Sequence, residues 1–371
     1  MFADRTAPVG RCWPAVRVLQ RAAFTLVIVV LTAACNSTEV PVYTTQFPAF
    51  GTAVDLSIVG IQRERAANAA ADVERDLLFF DHALYADRSG RMLRTNELLA
   101  SGEPFALAPS LIPLIAGSQA LYSQSDGLFN PAIGRFTRLW GLDHAAPEPN
   151  PPPGQAAINA LLAVRPSMDD LYLDGIELQS DNPAVQLDFD AVATAYAMDV
   201  AIDALRAQEV RSALINIGGD VRAIGSRSGR AWRLPVPRAS GTGVIGIVDV
   251  IGDVSLFSAS AQRRNFVYQG NVYHSVIDPR TGRPADGVAS ATVLYEGDAL
   301  IAAAAANALM IAGPDDWPRI AERMGIRHAL LIDNRGQLQM TPAMAGLIAI
   351  LDTKAEQIIR GPEEDQPLSA P

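Results

Sequence analysis

The protein has 371 residues, of which 49% are hydrophobic and 19% charged, and this composition excludes an intrinsically disordered or collagen-like chain. With 40 acidic against 30 basic residues, the formal net charge is −10. Nucleic acid is not expected as a partner, because binding to its phosphates needs a surplus of Lys and Arg. Two cysteines, Cys12 and Cys35, are too few for a disulfide framework.

The N-terminal segment has the pattern of an export signal. Four arginines lie within residues 1–21, and a charge-free run of 13 residues, Ala22 to Ala34, follows them. This run is shorter than the about 20 apolar residues that a membrane-spanning helix needs. A basic segment, a short apolar segment and small residues before a break are typical of a secretory signal. We therefore expect residues 1–34 to be a signal peptide; a buried N-terminal helix is the alternative.

Cys35 is the predicted lipidation site. It follows two alanines and resembles the cysteine of a bacterial lipobox, although Thr32 stands where such boxes usually have leucine. Removal of residues 1–34 would leave Cys35 as the single thiol of a chain with a net charge of −13. Acyl chains would anchor it firmly, since each buried CH₂ contributes about 0.8 kcal/mol. We expect a lipoprotein on the periplasmic face of a bacterial membrane, with residues 35–45 as linker; a soluble periplasmic protein is the alternative.

Helices and strands alternate irregularly in the first half of the remaining chain. Apolar spacing predicts a helix over 63–83, and Ser110 is a candidate N-cap of a helix over 109–123. The proline-rich stretch 146–154 is expected to be an exposed loop. The other predicted elements are strands at 50–58, 170–173 and 184–188, and helices at 155–164 and 191–207.

The second half is richer in strands. An alanine-rich helix over 298–312 and a helix near 316–324 are predicted there. Because the elements lack strict β-α-β alternation, the expected fold class is α+β, with one large domain of mixed sheets and helices over 46–355. The segment 356–371 is expected to be a disordered tail. The predicted strands are 212–217, 220–225, 231–236, 243–249, 254–258, 265–268, 289–295, 328–333, 337–341 and 346–350.

Two glycines, Gly218 and Gly219, lie between apolar strand-like segments and precede Asp220. Glycine permits a sharp turn or the close approach of a ligand to the backbone. Gly-Gly and Gly-Asp pairs are also favoured in two-residue hairpin turns. Local chemistry favours the hairpin and leaves the ligand contact as the alternative.

The segment from His274 to Pro284 concentrates an imidazole, a carboxylate, a hydroxyl and two guanidiniums, and its prolines and glycine predict a rigid loop. Such loops often carry binding groups, and Arg280 and Arg283 could neutralise phosphates. The alternative is a structural turn in which Asp278 caps its own loop. The sequence by itself does not decide between them.

Several common catalytic and binding motifs are absent from the sequence. It has no Gly-x-Gly-x-x-Gly, Walker, His-Glu-x-x-His or Gly-x-Ser-x-Gly motif. Four histidines and no pair of cysteines after export do not predict a zinc centre. Any metal would be a hard cation held by oxygens, such as magnesium.

Seven short segments follow one another along the chain: Phe50-Gly51-Thr52, Tyr85 with Ser89, Asp126 through Pro131, Leu187-Asp188, Gly218-Gly219-Asp220, His274 through Pro284, and Asp298-Ala299-Leu300. Each segment is a weak signal alone, and their order makes the combination specific. In this order they resemble the segments of the FAD:protein FMN transferase (ApbE) family, whose fold is α+β and related to the T-fold.

The resemblance implies that the protein binds FAD and Mg²⁺, cleaves the pyrophosphate and transfers FMN to a Thr or Ser hydroxyl of an acceptor protein, releasing AMP. Magnesium would bridge phosphate oxygens and offset developing charge. Asp298 and the backbone carbonyl of Ala191 would be metal ligands. The implied FAD-binding residues are Gly51, Tyr85, Phe129, Asn130, Asp188, Gly218, Gly219, Ile277 and Asp278.

The sequence departs from the family pattern at positions that carry its chemistry. Thr194 stands where the family has a lysine, and Ala259-Ser260-Ala261 stands where it has Thr-Ser-Gly. Ser275 replaces a histidine, and Ala302 replaces a magnesium-binding Thr four residues after the aspartate. A general base contributes roughly 10²–10⁴-fold in rate, and water, His274 or Asp220 could replace the missing one.

Three hypotheses follow from these observations. The first is an exported, lipid-anchored flavin transferase, and the second is a lipoprotein of the same fold that binds flavin or serves as a scaffold without transferring it. Thr194, Ser275 and Ala302 are the residues that separate these two. The third, an unrelated periplasmic solute-binding protein, would not have the ordered segments.

Overall fold

The computed structural model describes residues 40–84, 90–143, 150–240, 242–352 and 354–361. The helices, in chain order, are α1 (Arg63–Leu84), α2 (Arg91–Leu99), α3 (Ile112–Gln124), α4 (Gly134–Leu139), α5 (Gln155–Val164), α6 (Ala193–Ala207), α7 (Ala299–Arg323) and α8 (Pro342–Leu347), with 3₁₀ turns at Pro109–Leu111 and Met168–Asp170. The strands are β1 (Val42–Ala49), β2 (Thr52–Val59), β3 (Phe105–Ala106), β4 (Leu171–Asp174), β5 (Glu177–Ser180), β6 (Ser212–Ile217), β7 (Asp220–Ile224), β8 (Trp232–Pro237), β9 (Val244–Val250), β10 (Val254–Ser260), β11 (Asn265–Tyr268), β12 (Asn271–His274), β13 (Ile277–Asp278), β14 (Arg283–Pro284), β15 (Val288–Glu296), β16 (His328–Asp333), β17 (Leu338–Met340), β18 (Ile348–Ile350) and β19 (Gln357–Ile359).

One sheet of nine strands organises the fold, in the order β1-β2-β6-β7-β10-β15-β16-β17-β19. All of its neighbouring strands are antiparallel except β17 and β19, which are parallel. Two three-stranded sheets, β18-β9-β8 and β3-β5-β4, and the two-stranded pairs β11–β12 and β13–β14 accompany it. The chain from Pro41 onward forms one compact unit, and the predicted α+β class with mixed sheets is confirmed.

Both faces of the central sheet are covered, because successive side chains of a strand point to opposite faces. Phe257 and Leu331 belong to a core with helices α1, α6 and α7. Their strand neighbours Leu256 and Leu330 pack instead with Leu234 and the β18-β9-β8 sheet. The sheet is thus the middle layer between helices and a small sheet.

The alanine-rich helix α7 packs on β10 and β15 through small buried side chains. A non-helical residue, Gly313 with φ 81° and ψ 176°, and Pro314 after it interrupt this helix. This break explains why the sequence predicts two helices, at 298–312 and 316–324. No helix among the described residues is long and apolar enough to cross a membrane.

Several elements differ from the predictions. The first strand, β1, lies partly in the predicted linker, and β19 lies in the predicted disordered tail, where it pairs with β17. Residues 184–188 form only a bridge, between Gln186 and Ile133. Ser110 is not an N-cap, because it lies in a 3₁₀ turn and its carbonyl accepts a hydrogen bond from the Tyr196 hydroxyl (2.7 Å). Helices α2 and α4 are not predicted by the sequence pattern.

Candidate active site

A cavity of ≈ 510 Å³ lies at the strand ends of the central sheet where the β1–β2 and β6–β7 hairpins turn. The start of α6, the end of β10, the link between β12 and β13, and one face of α7 complete its wall. Sequence-predicted residues from five separate parts of the chain meet there: Gly51, Phe129, Asn130, Asp188, Ala191, Gly218, Asp220 and Ile277.

Two glycine-containing turns form one side of this cavity. Phe50 and Gly51 connect β1 to β2 with φ of 55° and 72°, and Gly218 and Gly219 connect β6 to β7 with φ of 59° and 96°. Two positive φ angles in a two-residue loop match the twist of antiparallel strands. Because β2 pairs with β6, both turns lie at the same end of these strands. The predicted hairpin is confirmed; Gly218 reaches the cavity wall, whereas Gly219 does not.

Asp220 and Arg263 form an ion pair in the cavity wall. The Asp220 carboxylate accepts a hydrogen bond from the Ser258 backbone N–H (3.1 Å) and one from Arg263 Nη2 (2.8 Å). The Asp220 side chain is 4% exposed and that of Arg263 is 43% exposed. Burial lowers the pKa of Arg263, but the charge of Asp220 and its hydrogen bond outweigh this, so the pKa is raised. The buried carboxylate therefore holds a charged guanidinium at the cavity surface.

The segment before α6 is fixed from both sides. The buried side chain of Asn96 donates to the Leu187 carbonyl (2.9 Å) and accepts from the Leu187 N–H (2.7 Å). Asp188 Oδ1 accepts from the Asp190 N–H (3.0 Å). Asp190 in turn pairs with Arg264, Nη2 to Oδ1 2.5 Å. These bonds hold two carboxylates and a second guanidinium in the cavity wall.

Asn130 and Phe129 shape the wall beside α4. The Asn130 amide donates to the Pro166 carbonyl and accepts from the Ala132 N–H, each at 3.1 Å. The Phe129 ring is buried. The amide of Asn130 is thus engaged in holding its own loop, and both residues contribute a preformed surface.

The predicted binding loop from His274 to Pro284 is mainly structural. Asp278 accepts from the Arg280 backbone N–H (2.8 Å) and from its guanidinium (Nη2 to Oδ2 2.9 Å). The Trp140 indole donates to the Gly282 carbonyl (2.8 Å). Asp278 therefore caps its own loop and does not line the cavity, which Ile277 does. The interpretation of the two arginines as phosphate ligands is not supported, because neither lines the cavity.

His274 is buried in the β11–β12 hairpin and does not line the cavity. Its Nε2 donates to the Ala285 carbonyl (3.0 Å), and its buried Nδ1 has no hydrogen-bond partner. Burial lowers the pKa of His274, although the bond to Ala285 and the charge of Asp286 act in the opposite direction. This placement argues against His274 as the catalytic group; of the two predicted groups, Asp220 lies in the cavity.

Comparison with families of known proteins matches residues 50–331, most of the chain, to the ApbE family. The protein belongs to the ApbE family. The matched range contains every cavity-lining residue named above.

Among its relatives, an FAD:protein FMN transferase of Rhodobacter capsulatus is 36% identical over 298 residues, which are 80% of this chain and 57% of that protein. A Vibrio cholerae FAD:protein FMN transferase is 28% identical over 236 residues, 62% of this chain and 70% of that protein. The chain therefore spans little more than half the length of the first relative.

Solved ApbE structures share the fold. The crystal structure of the ApbE protein of Thermotoga maritima superposes with a TM-score of 0.75 at 24% identity, over 83% of this chain and 99% of that one. The apo Pseudomonas stutzeri flavinyl transferase ApbE gives a TM-score of 0.71 at 28% identity, over 83% and 97%. The ApbE-like fold predicted from the sequence is confirmed.

Three of the residues that depart from the ApbE pattern line the cavity. Thr194, where the resemblance expects a lysine, and Ser275, where it expects a histidine, both line it. Ala259 and Ser260 line it at the end of β10. The cationic side chains among the described lining residues are Arg263 and Arg264, which the sequence reasoning did not single out.

The predicted metal ligand Asp298 lies elsewhere. It is exposed at the N-terminus of α7 and does not line the cavity, and Ala302 is fully buried. The α7 residues that do line it, Ala303 and Asn307, are four residues apart but bring no carboxylate. Within the described residues, no three His, Cys, Asp or Glu side chains cluster as metal ligands.

The cavity donors fit a resident Mg²⁺ poorly. That ion is usually bound through one or two carboxylates, and the Asp188 carboxylate already accepts a hydrogen bond from the Asp190 N–H. Two of the cavity carboxylates, Asp190 and Asp220, are already paired with arginines. Ala191, whose backbone carbonyl the resemblance gives as a metal ligand, lines the cavity. Tyr85 and Cys35 lie outside the described residues.

Proposed function

We propose that this protein binds FAD in the cavity and transfers its FMN part to a Thr or Ser hydroxyl of an acceptor protein, releasing AMP. The main support for the proposal is that the implied FAD-binding residues, although far apart in sequence, line one cavity. These residues are Gly51, Asn130, Asp188, Gly218 and Ile277. A preformed cavity of ≈ 510 Å³ is within the usual range for small-molecule sites. The names of the relatives support the same reaction.

In the proposed reaction, the acceptor hydroxyl oxygen attacks the phosphorus atom of the FMN moiety. The bond from that phosphorus to the bridging oxygen breaks, AMP leaves with the electron pair, and the hydroxyl proton passes to a base. Preorganised positive charge at the phosphates stabilises such a transition state. No metal ion has a role in this proposed reaction, because the cavity donors fit Mg²⁺ poorly.

The cavity offers a poor general base for accepting the hydroxyl proton. Ser275 occupies the position where the family has histidine, and a serine hydroxyl is a poor proton acceptor at neutral pH. Asp220 lies in the cavity as a carboxylate, but it is engaged with Arg263 and the Ser258 N–H. We therefore expect slow transfer.

Ser275 also favours the second candidate, a flavin-binding lipoprotein that does not transfer FMN. In both cases the protein would act outside the cytoplasm, anchored through Cys35 on the periplasmic face of a bacterial membrane. The N-terminal pattern of residues 1–34 supports this location, and a soluble periplasmic form is the alternative.

One experiment separates the two candidates. The purified protein is incubated with FAD and an acceptor that carries a flavinylation Thr or Ser, and the acceptor is examined by in-gel flavin fluorescence and intact mass. Fluorescent acceptor with the added mass of FMN supports transfer. Bound FAD without labelled acceptor supports the second candidate, and absence of FAD binding contradicts both.

A further inference from the structure

Arg263 is the more exposed of the two cationic side chains among the described residues that line the cavity. Its side chain is 43% exposed, whereas that of Arg264 is 13% exposed and paired with Asp190. A guanidinium has five N–H donors, and the bonds to Asp220 come from one hydrogen on each of Nη1 and Nη2. Arg263 therefore retains donors for a further anion.

Asp220 positions this guanidinium. The carboxylate is 4% exposed, and its Oδ1 is itself fixed by the Ser258 N–H (3.1 Å). A buried acceptor that holds an exposed arginine reduces the side-chain entropy that an incoming ligand must overcome. The pair thus has the arrangement of a preorganised anion site: carboxylate behind, guanidinium at the surface.

The position at which the resemblance expects a lysine is neutral, and so are the α7 residues at the cavity. Thr194 stands in place of the family's lysine, and Ala303 and Asn307 are the α7 residues at the cavity. The described lining residues include three carboxylates, Asp188, Asp190 and Asp220, so an anionic ligand needs a local cation.

From these observations we infer that Arg263, positioned by Asp220, binds the pyrophosphate of FAD and replaces the lysine that is absent at Thr194. Binding at this site does not require a divalent metal. The inference rests on the proposed function, since it takes FAD as the ligand. Asp220 then acts through Arg263 as a positioning residue.

The test measures the affinity of the purified protein for FAD and for riboflavin, which has no phosphate, in EDTA and in Mg²⁺. Arg263→Gln is expected to weaken FAD binding roughly 10- to 100-fold, the loss typical of charge-assisted hydrogen bonds, and to leave riboflavin binding unchanged. Wild-type affinity for FAD is expected to be the same in both solutions.

A rescue variant and a matched control sharpen this test. Adding Thr194→Lys to Arg263→Gln is expected to restore most of the FAD affinity. Arg233→Gln removes an exposed arginine, paired with Asp249 and absent from the cavity lining, and is expected to change nothing. Asp220→Asn is expected to weaken FAD binding less than Arg263→Gln does, with no further loss when the two are combined.

Three results would overturn the inference: unchanged FAD affinity in Arg263→Gln, equal losses for FAD and riboflavin, or loss of wild-type FAD binding in EDTA. The first result would leave the proposed function standing, because FAD would still bind. Failure of the wild-type protein to bind FAD under any condition would instead contradict the proposed function itself.

Discussion

Asp199 on α6 accepts hydrogen bonds from the backbone N–H groups of Ala299 and Leu300, each at 2.9 Å, and so caps helix α7 from another helix. Its carboxylate also pairs with the buried Arg222 (2.9 Å). Burial raises the pKa of Asp199, and these three partners oppose that rise. Asp298, the residue that immediately precedes α7, makes no side-chain capping bond.

Asp199 and Asp298 therefore form a matched pair of variants. Asp199→Ala is expected to lower the free energy of unfolding by about 1–3 kcal/mol, because it removes the cap of α7 and one of the two carboxylate partners of the buried Arg222, whose other partner is Asp253. Asp298→Ala is expected to change stability little and to leave FAD affinity unchanged. Urea unfolding and FAD titration check both. Loss of FAD binding in Asp298→Ala would contradict this prediction and show that Asp298 contributes to the FAD site.

Gly282 and Phe136 give the second prediction. Gly282 has φ +64°, and a Cβ there would come 2.4 Å from Phe136 Cε1, a buried atom with little room to move. Gly336 has φ +84°, but a Cβ there would meet nothing within 4 Å. Gly282→Ala should thus lose about 1–3 kcal/mol more than Gly336→Ala, the usual cost of overpacking. Equal losses in urea unfolding would show that the loop can shift.

Ser275 gives the third prediction. Ser275→His places an imidazole in the cavity wall, and a general base typically contributes roughly 10²–10⁴-fold in rate. We expect the rate of acceptor flavinylation to rise by at least about 10-fold, at the low end because the new base is not oriented by evolved partners. Ser275→Asn, polar but not basic, is the control. A rise in both variants, or in neither, would contradict the role given to this position.

His274 gives the fourth prediction, on pH dependence. Burial lowers its pKa in the folded protein from the ordinary value of 6.5, so the unfolded chain binds more protons as the pH falls below that value. Folding stability should therefore be fully present above pH 6.5 and should decrease towards pH 5. In His274→Gln, which keeps a donor for the Ala285 carbonyl, this part of the decrease should disappear. Thermal unfolding at both pH values measures it, and identical slopes would contradict it.

The strands of the central sheet from β6 to β16 follow from their apolar patterns, because they are covered on both faces. The edge strand β1 escapes prediction for the converse reason: only two of its eight residues, Phe47 and Ala49, are buried, so residues 42–49 carry little hydrophobic signal. The strand β19 escapes because it is three residues long and is stabilised by pairing with β17, a contact that only the folded chain reveals.

The site is predictable where a local sequence pattern favours one type of turn. Gly218 and Gly219 indicate a hairpin, and the hairpin places Gly218 at the cavity. The position of the metal ligand is not predictable, because the alanine run after Asp298 has no large side chain to show which face of α7 meets the cavity. That face carries Ala303 and Asn307 instead.

The two arginines that line the cavity escape prediction from the sequence for a different reason. Arg263 and Arg264 are adjacent residues after a strand, a pattern that usually belongs to a solvated loop. Only the fold shows that they pair with Asp220 and Asp190, which are 43 and 74 residues away in sequence. Long-range ion pairs of this kind leave no local signal in a single sequence.

The most direct measurement is an experimental structure of the protein with FAD. The account predicts flavin density in the cavity beside the turns at Gly51 and Gly218, with pyrophosphate oxygens within hydrogen-bond distance of the Arg263 guanidinium. FAD bound at another place on the protein, or a pyrophosphate held in the cavity by a metal ion on α7 with Arg263 turned away, would contradict it.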